Sequence, residues 1–224
     1  MKPGLTEIAD RFGSDKGSRK HRYTELYHML FSPLRERKLT FLEMGLLIGG
    51  PEHGNAATRE TTDLPSIRMW LEYFPNARII GLDVSDFSWF EHERFDFLRC
   101  DMDERQKIAD AAAGFDEFDI ILEDASHASH HQQNAFLELF PKLAPEGLYI
   151  IEDLRWQPKA YEKPGITKTA ALFQGYLNTG SFEHSDPKVA VELNALRTDI
   201  SGVFVFQAKY QKRRRDQVAV VHKK

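Results

Sequence analysis

A chain of 224 residues, 42% of them hydrophobic and 29% charged, can bury one full α/β core but would cramp two. Its net charge of −4 argues against a general nucleic-acid binder, which carries a basic surplus. No apolar run approaches the roughly 18 residues of a membrane span, and the first residues lack a signal-peptide stretch. Cys100 is the only cysteine, so a reducing, cytoplasmic setting is expected.

Tyr23, Leu26, Tyr27 and Leu30 share one helical face within residues 22–38. Residues 1–38 are read as a helical amino-terminal segment, a lid or substrate wall, ahead of one domain over 39–224. Residues 41–47 read as a buried first strand, and 50–64 as a polar loop longer than most connections. Pro65 suits the first position of the next helix, where Ile67, Trp70, Leu71 and Phe74 repeat the stripe. Residues 77–84 and 95–101 form the second and third strands, with a helix over 103–113 before the fourth strand at 118–123. A helix over 128–143, with Phe136, Leu139, Phe140 and Leu143 inward, leads to the fifth strand near Leu148. Beyond a Trp/Pro/Lys-rich loop (156–165) and a helix at 166–178 come two last strands, 202–210 and 217–222. The short basic link between them, residues 211–216, requires an antiparallel pairing. The sum is a doubly wound, mostly parallel seven-stranded α/β sheet ending in an antiparallel hairpin.

Chemistry-bearing residues fall at successive strand ends, where ligands of such sheets bind. The first strand runs into Glu43, Gly45 and Gly49, the glycines allowing close approach of backbone to a ligand. Asp83 ends the second strand, placed for a ribose diol, and Asp101 the third, placed for an adenine amino group. The G-x-G-x-x-G phosphate fingerprint is missing, since Leu47 stands where its second glycine would be. An acidic Glu43 would repel a pyrophosphate, so a cationic nucleoside such as S-adenosylmethionine fits better than NAD or ATP. The fourth and fifth strands end in Asp124 and in Glu152-Asp153. Neighbouring strands lie about 4.8 Å apart, so these carboxylates can converge on Mg²⁺ or another hard divalent cation.

On these residues the chain resembles class I S-adenosylmethionine-dependent methyltransferases, over roughly residues 38–224. Within that family it is similar to the metal-dependent sugar O-methyltransferases of macrolide biosynthesis and their bacterial relatives. Asp124-Ala125-Ser126-His127 and Glu152-Asp153 match their two acidic motifs, and Gly13-Ser14-Asp15-Lys16-Gly17 with His21 and Tyr23 is similar to their amino-terminal signature. The resemblance implies a Rossmann-like methyltransferase fold and Mg²⁺-dependent methylation of a hydroxyl on a small molecule, glycosylated before a free catechol, with natural-product biosynthesis as the setting. Whether copies assemble into a homo-oligomer is open.

Metal ligation lowers the pKa of a bound hydroxyl and fixes its approach. Asp124, Glu152 and Asp153 are the expected ligands and His127 the expected general base. Adjacent strand residues point to opposite faces, so Glu152 and Asp153 can both bind only if the strand has ended by Glu152. Glu123 should point away from its neighbour Asp124. His127, His130 and His131 also suggest zinc, although histidines near a helix start are more often solvated or capping groups. The rival readings are a zinc-dependent hydrolase built on Asp124, His127 and His131, and a non-catalytic adenosyl-nucleoside-binding protein.

Overall fold

The computed structural model describes residues 2–58, 60–207 and 216–224. Its elements run α1 (Leu5–Phe12), α2 (Tyr23–Phe31), β1 (Thr40–Met44), α3 (Pro65–Tyr73), β2 (Arg78–Asp83), β3 (Phe95–Arg99) and α4 (Arg105–Ala111). They continue with β4 (Phe118–Glu123), α5 (Ser129–Leu139), β5 (Leu143–Ile151), α6 (Thr169–Thr179), α7 (Pro187–Ala195), β6 (Ile200–Gln207) and β7 (Gln217–Lys223). The strand order is β3-β2-β1-β4-β5-β7-β6, parallel as far as β5 and antiparallel at both β7 pairings. The expected seven-stranded, doubly wound sheet is therefore present. The basic link at 211–215 and the expected end of the sixth strand at 208–210 lie outside the described residues.

α1 lies within the helical segment expected over 1–38 but has no stripe of its own in the sequence, and α7 has no counterpart among the expected elements. In α1, Leu5, Ile8 and Ala9 are buried at i, i+3 and i+4, but only eight residues carry the pattern. α7 starts on the Asp186-Pro187 cap and buries only Leu193, too thin a stripe to register.

Side-chain alternation along the strands feeds two cores, one on each face of the sheet. Phe41, Ile79, Ile120, Leu122 and Ile150 pack with α1, α2 and α3. Leu42, Met44, Ile80, Ile121, Tyr149 and Ile151 pack with α4 to α7. The same period of two assigns the acidic residues to faces. Glu43, Asp124 and Glu152 each stand two residues beyond a side chain of the first core (Phe41, Leu122 and Ile150) and emerge on the α1–α3 side. β4 and β5 are in register with Leu122 opposite Ile150, so Asp124 and Glu152 are the next neighbours past the strand ends.

Glu123, one residue off that phase, enters the second core fully buried and accepts from the Ala125 amide at 3.2 Å. Burial pushes its carboxyl up to about 7. In the unfolded chain the same group titrates near 4.5, so its contribution to stability is complete below that pH and is lost as pH rises through about 7. Glu123→Gln removes the ionisation. Its stability relative to the wild type should improve by up to about 3 kcal/mol between about pH 4.5 and about pH 8. Urea unfolding across that window measures the difference, and a pH-independent difference would contradict the buried-acid assignment.

Candidate active site

A cavity of about 860 Å³ opens beyond the carboxyl ends of the parallel strands. Asp83 sits in its wall with both oxygens engaged: Oδ2 accepts from the Leu46 amide and Oδ1 from the Ser85 amide, each at 2.8 Å. The carboxylate thereby fixes the turn after β1. Gly45 in that turn has φ +81, and a Cβ there would meet the Asp124 carbonyl oxygen at 2.2 Å and the Ala125 Cα at 2.5 Å. Its freedom permits a backbone-to-backbone approach between the ends of β1 and β4, and Gly45 also lines the cavity. Gly49, at φ +96, donates its amide to Glu52 Oε1 at 2.9 Å. Asp101 follows β3 on the exposed wall of the cavity. Glu43 is fully buried and is not among the residues lining the cavity. It accepts from the Ser66 hydroxyl at 2.8 Å, and burial pushes its carboxyl up to about 7.

Beside this region lies the acidic centre. β5 ends at Ile151, and Asp153 adopts a left-handed conformation at φ +52. His127, in the turn before α5, does the same at φ +60. Both turns re-aim side chains that regular strand or helix geometry would send elsewhere, a conformation that Asp and His tolerate better than most residues. The result brings Asp124, His127 and Asp153 together. His127 Nδ1 lies 3.9 Å from Asp124 Oδ1, and its Nε2 lies 3.6 Å from Asp153 Oδ2. Trp156 packs edge-on to the His127 ring, with centroids 5.3 Å apart, and stacks with His53 at 5.5 Å.

Glu152 takes a different environment. It is buried, accepts from the Tyr27 hydroxyl, and receives a hydrogen bond from Lys16 Nζ at 3.1 Å. In the sequence Lys16 stands out only as part of the amino-terminal signature. The residue is 1% exposed, and its ammonium also donates to Asp124, with Glu43 at 3.7 Å. Burial works against that charge, but Asp124, Glu152 and Glu43 outweigh it and raise the lysine well above its usual range. Tyr23, read from its spacing as a helix-face residue, donates its hydroxyl to Asp153. The segment from Lys16 to Tyr27 thus hydrogen-bonds Asp124, Glu152 and Asp153. No spacing rule could reveal this, because the contacts span more than 100 positions.

One ammonium among three carboxylates leaves the centre short of positive charge. Burial and then the charge of Asp124 push the Glu152 carboxyl well above its usual range, even with Lys16 beside it. Oxygen donors at Asp124 and Asp153, a deficit of cation, and an adjoining cavity together suit a hard divalent ion.

His130 and His131 are buried rather than solvated. Both Nε2 atoms face Asp103 Oδ1, and His131 Nδ1 meets Ser126 Oγ at 2.6 Å. His131 therefore groups with Asp103, not with Asp124 and His127 as the hydrolase reading requires.

Lys16→Met should cost about 3–5 kcal/mol of stability, because it strands buried carboxylates without their cation. Adding Glu152→Gln to Lys16→Met should restore part of the loss by removing one uncompensated charge. Urea unfolding of the two single variants and the double variant reads the coupling; purely additive losses would show that the pair does not interact.

No family model matches the chain. It is 37% identical over 153 residues to the 8-demethyl-8-alpha-L-rhamnosyl tetracenomycin-C 2'-O-methyltransferase of Streptomyces olivaceus, covering 68% of this chain and 38% of that protein. It is 35% identical over 156 residues to the demethylmacrocin O-methyltransferase of Streptomyces fradiae, covering 68% of this chain and 37% of that protein. The MycE methyltransferase of the mycinamycin pathway, solved with Mg, SAH and mycinamycin VI, superposes with a TM-score of 0.73 at 27% identity. That match covers 99% of this chain and 55% of the MycE chain. The chain thus spans from over a third to about half the length of the relatives it matches. Sheet order and antiparallel end agree with this kinship: the chain belongs to the class I methyltransferases, as a homologue of the sugar O-methyltransferases of macrolide and polyketide biosynthesis.

Proposed function

We propose that this chain carries the catalytic domain of a divalent-cation-dependent O-methyltransferase that methylates a sugar hydroxyl of a glycosylated small molecule, with S-adenosylmethionine as donor. The convergence of Asp124, His127 and Asp153 beside the cavity walled by Asp83 and Asp101 carries this reading. Its relatives are named as sugar O-methyltransferases, and MycE was solved with Mg and SAH. Among the described residues, no helix is long and apolar enough to cross a membrane. We take residues 1–38 as the inner wall of the site rather than a detachable lid, because Lys16 and Tyr27 reach buried Glu152.

Asp124 and Asp153 would hold the cation, with Glu152 joining them or holding Lys16 in place. When bound, a hard cation lowers the pKa of an acceptor hydroxyl and orients it, while the sulfonium donor supplies an activated methyl group. The chain's own part is positional. The Tyr23 hydroxyl orients Asp153, Lys16 orients Asp124, and the two carboxylates flank the His127 imidazole. His127 takes the hydroxyl proton as the new O–C bond forms and the C–S bond breaks. Trp156, against His127, shields this face from water and offers an aromatic surface to a sugar ring. Asp83, in the cavity wall, would accept hydrogen bonds from the ribose hydroxyls.

Asp124→Ala and Asp153→Ala should each greatly weaken Mg²⁺ binding in calorimetry and leave S-adenosylmethionine binding largely intact. A wild type that takes up no divalent cation at millimolar concentration would remove the metal from the mechanism. Asp83→Ala should lower S-adenosylmethionine affinity at least tenfold, each charge-assisted hydrogen bond being worth about 1.5–3 kcal/mol. It should also lower the melting temperature, since two backbone amides lose their acceptor.

For the reaction itself, the probe is a glycosylated polyketide with free sugar hydroxyls, scored by a mass gain of one methyl group. His127→Ala should retain cation and donor binding but lower turnover by about 10²–10⁴-fold. An unchanged rate would exclude His127 as the base.

A further inference from the structure

Outside the acidic centre, one group of side chains converges without a role in the proposed reaction. His130 and His131, consecutive in the first turn of α5, aim both Nε2 atoms at a single carboxylate oxygen, Asp103 Oδ1, at 3.0 and 3.3 Å. Neighbouring residues of a helix point about 100° apart, so the two rings converge only because both are turned toward one point, with centroids 4.2 Å apart. One structural hydrogen bond to Asp103 would need one histidine. Here two imidazoles are held 6% and 5% exposed, and His130 Nδ1 is buried with no hydrogen-bond partner among the described residues.

We propose that Asp103, His130 and His131 form a second metal site, for a borderline transition-metal ion such as Zn²⁺, chemically distinct from the oxygen-rich centre at Asp124 and Asp153. A tetrahedral ion with bonds of about 2.0–2.1 Å spaces its ligands about 3.3 Å apart. The two separations to Asp103 Oδ1 already sit near that edge length, and all three ligand atoms lie within 4.8 Å of one another. The His131 ring is fixed from behind by Ser126 Oγ at 2.6 Å on Nδ1, and that hydroxyl can accept from or donate to Nδ1, so it supports the tautomer a metal requires. The ammonium of Lys163, 3.3 Å from Asp103 Oδ1, is 55% exposed and can swing into solvent when an ion arrives. The cavity side leaves the fourth position open to water. Imidazole nitrogen favours zinc, cobalt or nickel, whereas carboxylate oxygen favours magnesium, so one chain can hold the two ions apart by ligand type.

Titrating the full chain with Zn²⁺ in calorimetry, in the presence of saturating Mg²⁺, should give one site of micromolar or tighter affinity. Co²⁺ should bind there with the visible absorption of a tetrahedral ion. Asp103→Asn and His131→Gln should each weaken Zn²⁺ at least tenfold, while Asp124→Ala leaves Zn²⁺ binding unchanged. Asp103 is a surface residue, so its variant keeps the test informative even if His131→Gln folds poorly. No Zn²⁺ uptake in wild type, equal affinity in wild type and Asp103→Asn, or loss of the ion in Asp124→Ala alone would each overturn the assignment.

Discussion

The buried ammonium of Lys16 is the contact on which the rest of the centre depends. It lies between Glu43, Asp124 and Glu152, carboxylates from the ends of β1, β4 and β5 that share one face of the sheet. Three acidic groups at adjacent strand ends repel one another strongly once water is removed. A lysine delivered from outside the sheet makes their proximity tolerable. The requirement reaches the amino-terminal segment: Lys16 can arrive only if α1 and α2 are docked, and their docking buries Leu5, Ile8, Tyr23 and Tyr27 against the α3 side.

One cation is not enough, and the shortfall gives the site its chemistry. Glu152 keeps an elevated proton affinity and Glu43 titrates near 7 because burial and mutual repulsion outweigh the single ammonium. A centre left under-neutralised in this way draws further positive charge, and the side of it that faces the cavity carries Asp124, Asp153 and His127. The fold thus separates two duties among residues of one type. Glu43 and Glu152 on the inner side hold the fixed ammonium, Asp124 meets that ammonium and also faces the cavity, and Asp153 lines the cavity. Glu152 and Asp153, neighbours in sequence, fall on either side of that division because the chain turns left-handed at Asp153 just after β5 ends.

Local sequence was informative wherever a signal repeated at a fixed period. The alternation of 118–123 and 147–151 marked two buried strands ending in carboxylates, and the short link before residue 217 required an antiparallel end to the sheet. The β4–β5 register then makes the chemical neighbourhood of Asp124 and Glu152 almost unavoidable. Less legible were α7 and α1, where short or thin apolar stripes gave no period to count. At Gly45, which lines the cavity, only the fold shows that Asp124 and Ala125 of the same chain crowd the place of the missing Cβ.

By itself, then, the sequence determined the sheet class, the order of its elements and the strand ends at which Asp83, Asp101, Asp124 and Asp153 appear, because those follow from periodicity and parallel pairing. Only the tertiary structure decided what each acid faces. Lys16 and Glu152 are 136 positions apart and meet only once α1 and α2 dock. His130 and His131 looked like solvated helix-start residues until packing buried both against Asp103. Charge and burial are properties of the neighbourhood rather than of the residue, and a neighbourhood built from distant segments leaves no local trace in the chain.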